Sequence, residues 1–311
     1  MNVLYNMLMK RLLSLALILS LCVCVLAQGN TKHLKMRVAV APLDWTDHEW
    51  IGDWQVPIDF RNAIYEKLEK KLLDTGRFVV LEREAMQALL TEKGIKEETS
   101  GQSQKGKITP AQSLVKGKVS DFDLSSKGGG AGISVGGLSL GGHVSEAKVG
   151  INVRIFDVDT SELLASETCA KSVQSHSFHI SGGLGNAFGS FGAFEHSPLG
   201  EATTKAIDEA VNKIMIVLDK QSWSAKVADW DSSAKEATLN AGDDAGVRVG
   251  DTFDVYRVVK VIKDPETGEI LGKKTARVGA VRVTSVDKKF CLASAVEGST
   301  FQSGDIVRDR I

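Results

Sequence analysis

SSKGGGAGISVGGLSLGGHVSEAKV at residues 125–149 and CAKSVQSHSFHISGGLGNAFGSFGAF at residues 169–194 decide how this chain is read. Both tracts are rich in Gly and Ser and nearly free of charge. Such low-complexity sequence is ordinarily linker. Here apolar residues recur at every second place instead, Ile133 with Val135 and Leu138 with Leu140. The segment between the tracts, KVGINVRIFDVDTSELLASE at 148–167, sets Ile151, Val153 and Ile155 against Gly150, Asn152 and Arg154. A period of two is the signature of a strand, because successive side chains point to opposite faces.

Each tract folds naturally as a hairpin, over about 120–156 and 165–194. Gly136-Gly137 offers the positive φ that a two-residue turn requires. The second tract turns near Gly182, Gly185 and Asn186. Arms of about 10 to 15 residues are long enough to cross a bilayer as tilted strands, which takes roughly 9–11. The candidate membrane-facing residues are Ile133, Val135, Leu138, Leu140 and Val144 in the first hairpin, and Phe178, Ile180 and Phe188 in the second. Four strands cannot close a barrel, so a pore requires several copies of the chain. The same pattern also describes two soluble β-hairpins laid over a domain.

The chain has 311 residues and a net charge of −1. That balance carries no electrostatic footprint for nucleic acid. The length corresponds to about two domains. Lys10 and Arg11 precede LLSLALILSLCVCVLA at 12–27, the charged and apolar regions of a signal peptide over 1–27, with cleavage before Gln28. The mature chain is therefore expected in the periplasm or outer membrane. It keeps Cys169 and Cys291, which could pair, although nothing in their spacing requires it.

MRVAV at 36–40 reads as a first strand, and the loop after it carries Trp45, Trp50 and Trp54. Residues 58–73 repeat Phe60, Ile64, Leu68 and Leu72 on one helical stripe, closed by Gly76. A strand at 77–81, a short helix at 84–93, a polar loop at 97–107 and a strand at 114–123 follow. Pro198 opens a long helix to about Lys220. The order predicts an α/β (α+β) domain over 33–222 that carries the two hairpins. From 224 to 311 short strands alternate with turns such as Gly250-Asp251 and Gly304-Asp305, which predicts a small all-β barrel.

Enzyme chemistry finds little support. No Gly-Lys-Ser/Thr follows the glycine runs, no G-x-G-x-x-G opens a helix and no G-x-S-x-G elbow occurs. The six His are scattered, and His176 and His179 fall on opposite faces of an expected strand. No catalytic residue, metal site or cofactor is expected.

With these pieces placed, the chain resembles the curli secretion channel family (CsgG). The resemblance rests on LLDTGRFVVLEREAMQALLTEKG at 72–94, SLVKGKVSDFDLSSKGGGAG at 113–132 and VGINVRIFDVDTSELLASETCAKSV at 149–173, and it extends over about 38–218. It implies a homo-oligomeric ring in the outer membrane of a Gram-negative envelope, facing the periplasm, with each subunit giving two hairpins to one transmembrane β-barrel. It also implies nucleotide-independent export of unfolded subunits of extracellular fibres, with accessory assembly proteins as partners. The loop after the first strand would narrow the passage. Carried over, that constriction falls on about 47–57, with Trp50, Ile51, Trp54, Gln55 and Val56 as its residues. This sequence lacks the family's Tyr, Asn and Phe there, so Trp50 and Trp54 stand in. Cys22 lies in a poor lipidation context, and the hairpins lack Tyr and Trp girdles. These departures favour the alternative of a soluble periplasmic assembly protein with the same fold and no pore. The C-terminal β-domain lies outside the curli pattern and is similar to C-terminal domains of flagellar assembly proteins.

Overall fold

The computed structural model describes residues 33–52, 54–82, 111–128, 133–135, 138–140, 143–158, 160–175, 188–263, 265–266, 270–298 and 300–310. The chain divides into two compact units, Met1–Leu34 and Lys35–Ile311. The first, with the expected signal peptide, lies almost wholly outside the described residues. So do the expected short helix at 84–93 and the expected second turn near Gly182. The elements below belong to the second unit.

Five strands form a mixed sheet. β1 (Met36–Val40) runs parallel to β4 (Phe78–Glu82) on one side and to β5 (Ser113–Gly128) on the other. β5 pairs antiparallel with β8 (His143–Asp157), which pairs antiparallel with β9 (Leu163–Ser175), giving the order β4-β1-β5-β8-β9. Two long helices, α1 (Ile58–Asp74) and α3 (Pro198–Leu218), contribute to one core with the sheet. The stripe Phe60, Ile64, Leu68 and Leu72 is buried, as its four-residue spacing predicts. Gly76 follows the C-terminal Thr75 of α1 at φ 65°, and its N–H donates to the Leu73 carbonyl. On the sheet side, Val115, Val119, Ile151, Val153, Ile155 and Cys169 complete the core. Lys71 pairs with Asp208 and Lys67 with Glu195, tying α1 to the C-terminal elements at the surface.

The end of the second tract departs from the sequence expectation. Residues 165–194 read as one hairpin, yet Phe191–Glu195 forms a short helix, α2. Ser190 caps it by accepting a hydrogen bond from the Ala193 N–H, and Ser197 caps α3 through the Gly200 N–H. The turn between the helices is tight. A Cβ at Gly200 would lie 2.2 Å from the Phe194 carbonyl oxygen and 2.6 Å from Glu195 Cα, both backbone atoms. Gly200→Ala is accordingly expected to cost about 1–3 kcal/mol by overpacking, measured as a lowered midpoint in urea.

The C-terminal strands close a six-stranded barrel in the order β10-β11-β14-β13-β12-β15. They are β10 (Ser224–Asp231), β11 (Glu236–Leu239), β12 (Thr252–Lys263), β13 (Ile270–Val286), β14 (Cys291–Glu297) and β15 (Ile306–Asp309). Val227, Leu239, Phe253, Val255, Val281, Val283, Ala293 and Val307 fill it. The two Gly-Asp turns are built alike. Gly250 and Gly304 sit at φ 95° and 94°, and each following Asp accepts a hydrogen bond from the N–H three residues earlier, of Arg248 and Gln302. Positive φ makes glycine the residue of choice at both.

The barrel is docked directly on the sheet. The Trp223 indole donates to the Lys35 carbonyl at 3.2 Å, and Gln112 donates to the Ser224 hydroxyl at 2.9 Å. The Arg37 guanidinium, buried by this contact, donates to the Asn240 carbonyl at 3.4 Å. Cys169 and Cys291, which the sequence left free to pair, are both unpaired and buried, one in the sheet and one in the barrel.

Candidate functional site

The residues singled out by sequence fall into two neighbouring structures, a long strand pair and an aromatic loop. The strand pair is β5 with β8. Its ladder runs from Ser113 opposite Asp157 to Gly128 opposite His143, with one slip between Val119 and Asp121. At that slip a Cβ on Gly150 would come within 2.5 Å of Ser120 Oγ and 2.6 Å of Asp121 Oδ2, so those side-chain ends would have to move aside for it. Sixteen residues of β5 span about 50 Å at roughly 3.3 Å each. Among the side chains whose burial is described, Leu124 is the last buried one of β5 and Ser145 the first of β8.

Beyond that end, β6 (Ile133–Val135) and β7 (Leu138–Leu140) pair antiparallel, Ile133 opposite Leu140 and Val135 opposite Leu138. Directly opposed residues share a face, so these four positions line one side of the ladder. Val144 lies in β8 close to the same end. β9 is the outermost strand on its side of the described sheet. It turns Cys169 and Val173 inward and Ser166, Thr168, Ala170, Ser172 and Gln174 outward. Phe178 and Ile180 lie outside the described residues.

Phe188 belongs elsewhere than its place in the sequence suggests. Its ring packs 5.1 Å from Trp54 and 5.8 Å from Phe194. Phe194 in turn meets Phe60 at 5.8 Å, Phe122 at 6.2 Å and Phe191 at 5.4 Å. Phe188, expected to face a membrane, thus belongs with Phe191 and Phe194 to an aromatic cluster under the loop. Burial of such large rings outweighs their exposure at a rim whenever a helix stripe is at hand to receive them. The four-residue recurrence of Phe60 with Ile64 was the sequence signal for the receiving side; nothing marked the donors.

The loop itself is a small hairpin of β2 (Trp50–Ile51) and β3 (Trp54–Gln55), with Gly52 at φ 58°. Pairing places Trp50 opposite Gln55 and Ile51 opposite Trp54. The second pair is buried and Val56 joins it, whereas Trp50 is 56% exposed and Gln55 is exposed beside it. Trp54, at 9% exposure, is thereby separated from Trp50. Trp45 is buried edge-on to Phe122 at 5.0 Å. Arg61 on α1 holds the loop from below through Glu49 at 2.7 Å.

Two ion pairs lie on the outward side of β5 and β8, one of them to the loop. Lys118 meets Asp47 at 2.6 Å, and Lys148 meets Asp121 at 2.8 Å. These bonds hold both lysines above their ordinary pKa, and the Thr46 hydroxyl holds Asp44 below its own. The two described thiols, Cys169 and Cys291, are the opposite of reactive. Burial first, then the nearby Glu209 charge, pushes Cys169 up to about 11. Burial and Asp251 push Cys291 up to about 12. Neither should react with iodoacetamide at pH 8 in the folded protein, and both should once it is unfolded, as peptide mapping would report. The sign follows for stability: the unfolded thiol ionises first, so stability is unaffected at neutral pH and falls as pH rises from about 9 toward 11–12.

Comparison with known proteins adds the following. The family described as curli production assembly/transport component CsgG matches residues 24–241, more than half of the chain. The family described as the C-terminal domain of flagellar assembly protein T matches residues 234–308. A curli production assembly/transport component CsgG of Salmonella typhimurium is 27% identical over 113 residues, covering 34% of this chain and 41% of the relative; its counterpart in Salmonella typhi matches equally. The chain thus spans less than half the length of these relatives. Among solved structures, hypothetical protein CT253 of Chlamydia trachomatis is 14% identical over 60% of this chain and 99% of that one, with a TM-score of 0.39. Lipoprotein GNA1162 of Neisseria meningitidis is 13% identical over 57% of this chain and 99% of that one, with a TM-score of 0.29. Likenesses at that level say nothing of function.

Proposed function

The chain belongs to the family of curli production assembly/transport components, and from that premise we propose that it is one subunit of an oligomeric protein-export channel in the outer membrane. In this reading the distal β5–β8 arm and the strand begun by β9 form part of a barrel wall shared among identical subunits. The sheet and helices stay on the periplasmic side. Passage needs no nucleotide and no turnover chemistry, and the cargo is unfolded protein destined for extracellular fibres, delivered with accessory proteins.

The observation that carries the reading is the length of the β5–β8 pair, whose ladder runs on to Gly128 opposite His143, followed by β6 and β7 with four apolar positions on one face. Lipid on that face and neighbouring subunits at the strand edges would stabilise such a pair. Trp50 and Gln55, exposed side by side on the loop, are then the residues that narrow the passage, and Ile51, Trp54 and Val56 brace them. Trp50→Ala is expected to raise single-channel conductance in planar bilayers while shifting stability by no more than about 0.5 kcal/mol, as for an exposed side chain.

Membrane fractionation followed by negative-stain imaging in detergent tests the proposal. Rings from the outer-membrane fraction are expected. A monomer or dimer wholly in the soluble periplasmic fraction would defeat it. That outcome would favour a soluble assembly factor, a reading with one observation of its own: Phe188, Phe191 and Phe194 serve the core and leave no described aromatic rim.

A further inference from the structure

The barrel carries a feature its own closure does not need. β12 pairs with β15 only from Phe253 to Tyr256, and β13 pairs with β14 only from Ala280 onward. β12 and β13 nevertheless stay paired with each other out to Lys263 opposite Ile270. Past Tyr256 and Gly279 the two strands thus form a ribbon that stands off the barrel. Neither outer edge of it has a strand neighbour among the described residues. No side chain from Arg257 to Lys263 is buried, and a Cβ on Gly272 would meet nothing within 4 Å. Among the described residues both edges are open.

The ribbon's composition is unusual for such exposure. Val259, Val261 and Ile262 are 55%, 41% and 44% exposed. Lys260, Lys263 and Lys274 stand among them, and none has an acidic partner among the described residues. The two arginines at the base differ. Arg257 binds Asp305 through two bonds of 2.9 and 2.7 Å, and Arg277 binds both Asp254 and Glu297. They fasten the ribbon to the barrel, while Lys260, Lys263 and Lys274 beyond them have no acidic partner among the described residues.

We propose that this ribbon is a docking arm that takes up an extended acidic segment of a partner polypeptide as an added β-strand. An open edge presents unpaired backbone donors and acceptors, which an extended chain satisfies. β-branched residues exposed along it pack against alternate side chains of the incoming strand, and the lysines select acidic ones. Lysines on an edge strand also serve to prevent unwanted pairing. That role explains why two ribbons do not pair, since lysine would face lysine, but it leaves the three exposed β-branched side chains without a purpose. An acidic strand accounts for both. Carboxylates at the tip, Glu266 among them, make a flat anionic lipid surface a poor fit. The inference deepens the transport reading by giving the barrel a polypeptide to hold, yet it stands on the barrel alone, so the fractionation experiment and the one below fail independently.

The test uses the full mature chain in detergent and a fluorescent peptide, Glu-Val-Glu-Thr-Val-Glu-Val-Glu, followed by anisotropy. The expected result is saturable binding, weakened about tenfold or more for the lysine-for-glutamate peptide and for the backbone N-methylated peptide. Amide exchange should slow at 257–263 or 270–278. The triple variant K260E/K263E/K274E should reverse the preference between the acidic and basic peptides. Its unchanged melting curve would show that the barrel is intact. No saturation by the acidic peptide, equal binding of both peptides, or binding indifferent to the triple variant would overturn the proposal. So would binding to phosphatidylglycerol vesicles without binding to the peptide, or pairing of ribbons between copies.

Discussion

Replacing residues 129–142 with Asn-Gly is expected to remove the protein from the outer-membrane fraction altogether while leaving its unfolding midpoint within about 1 kcal/mol of the parent. The geometry makes the replacement clean. Gly128 and His143 already face each other across the ladder, so a two-residue turn closes the strands without changing their register. The core residues Val115, Val119, Phe122, Leu124, Ala147 and Val149 all lie outside the excised stretch. Their removal therefore separates assembly from folding. Fractionation and imaging read the first, and urea unfolding of the periplasmic protein reads the second. Global unfolding would show that the hairpin supports the domain, and rings persisting in the membrane would show that the wall is made elsewhere.

Phe194→Ala should act in the opposite way, with a loss of about 3–5 kcal/mol, as is typical of a fully buried phenylalanine. The ring is 2% exposed and touches Phe60, Phe122, Phe188 and Phe191. It joins α1, β5 and α2 at one point, so little can collapse into the space it leaves. Denaturant melts would measure the loss directly. Because the same cluster backs Trp54, amide exchange in the loop at 50–56 should accelerate in the variant. A loss below about 1 kcal/mol would mean the cluster repacks freely, and the loop would then not be braced as described.

Much of this was open to reading in one dimension. The four-residue repeat on α1, the alternation in β8 and the turn chemistry of the barrel are local patterns, and local geometry suffices to express them. The family resemblance was legible in the run from 72 to 94 and in 149–173, where order and spacing are distinctive. The phenylalanines at 188, 191 and 194 were not legible. In an uncharged Gly/Ser tract they look like membrane-rim residues, and their true surroundings come from Phe60 and Phe122, far away in the chain. Trp50 and Trp54 likewise look equivalent in sequence. They differ because a two-residue strand puts one on each face of the small hairpin, and the core lies under only one face.

The chain's order of residues was enough to specify the period of α1, α3 and β8, the Gly-Asp turns of the barrel and the presence of a C-terminal β-module. Which strand edges stay open, which aromatics are core and how the barrel meets the sheet depended on packing between distant segments. The β12–β13 ribbon shows the difference most plainly. Its pattern of valines and lysines reads as an ordinary barrel strand. Its exposure appears only once the neighbours β14 and β15 are seen to stop short, because burial belongs to the neighbours a residue meets and not to the residue alone.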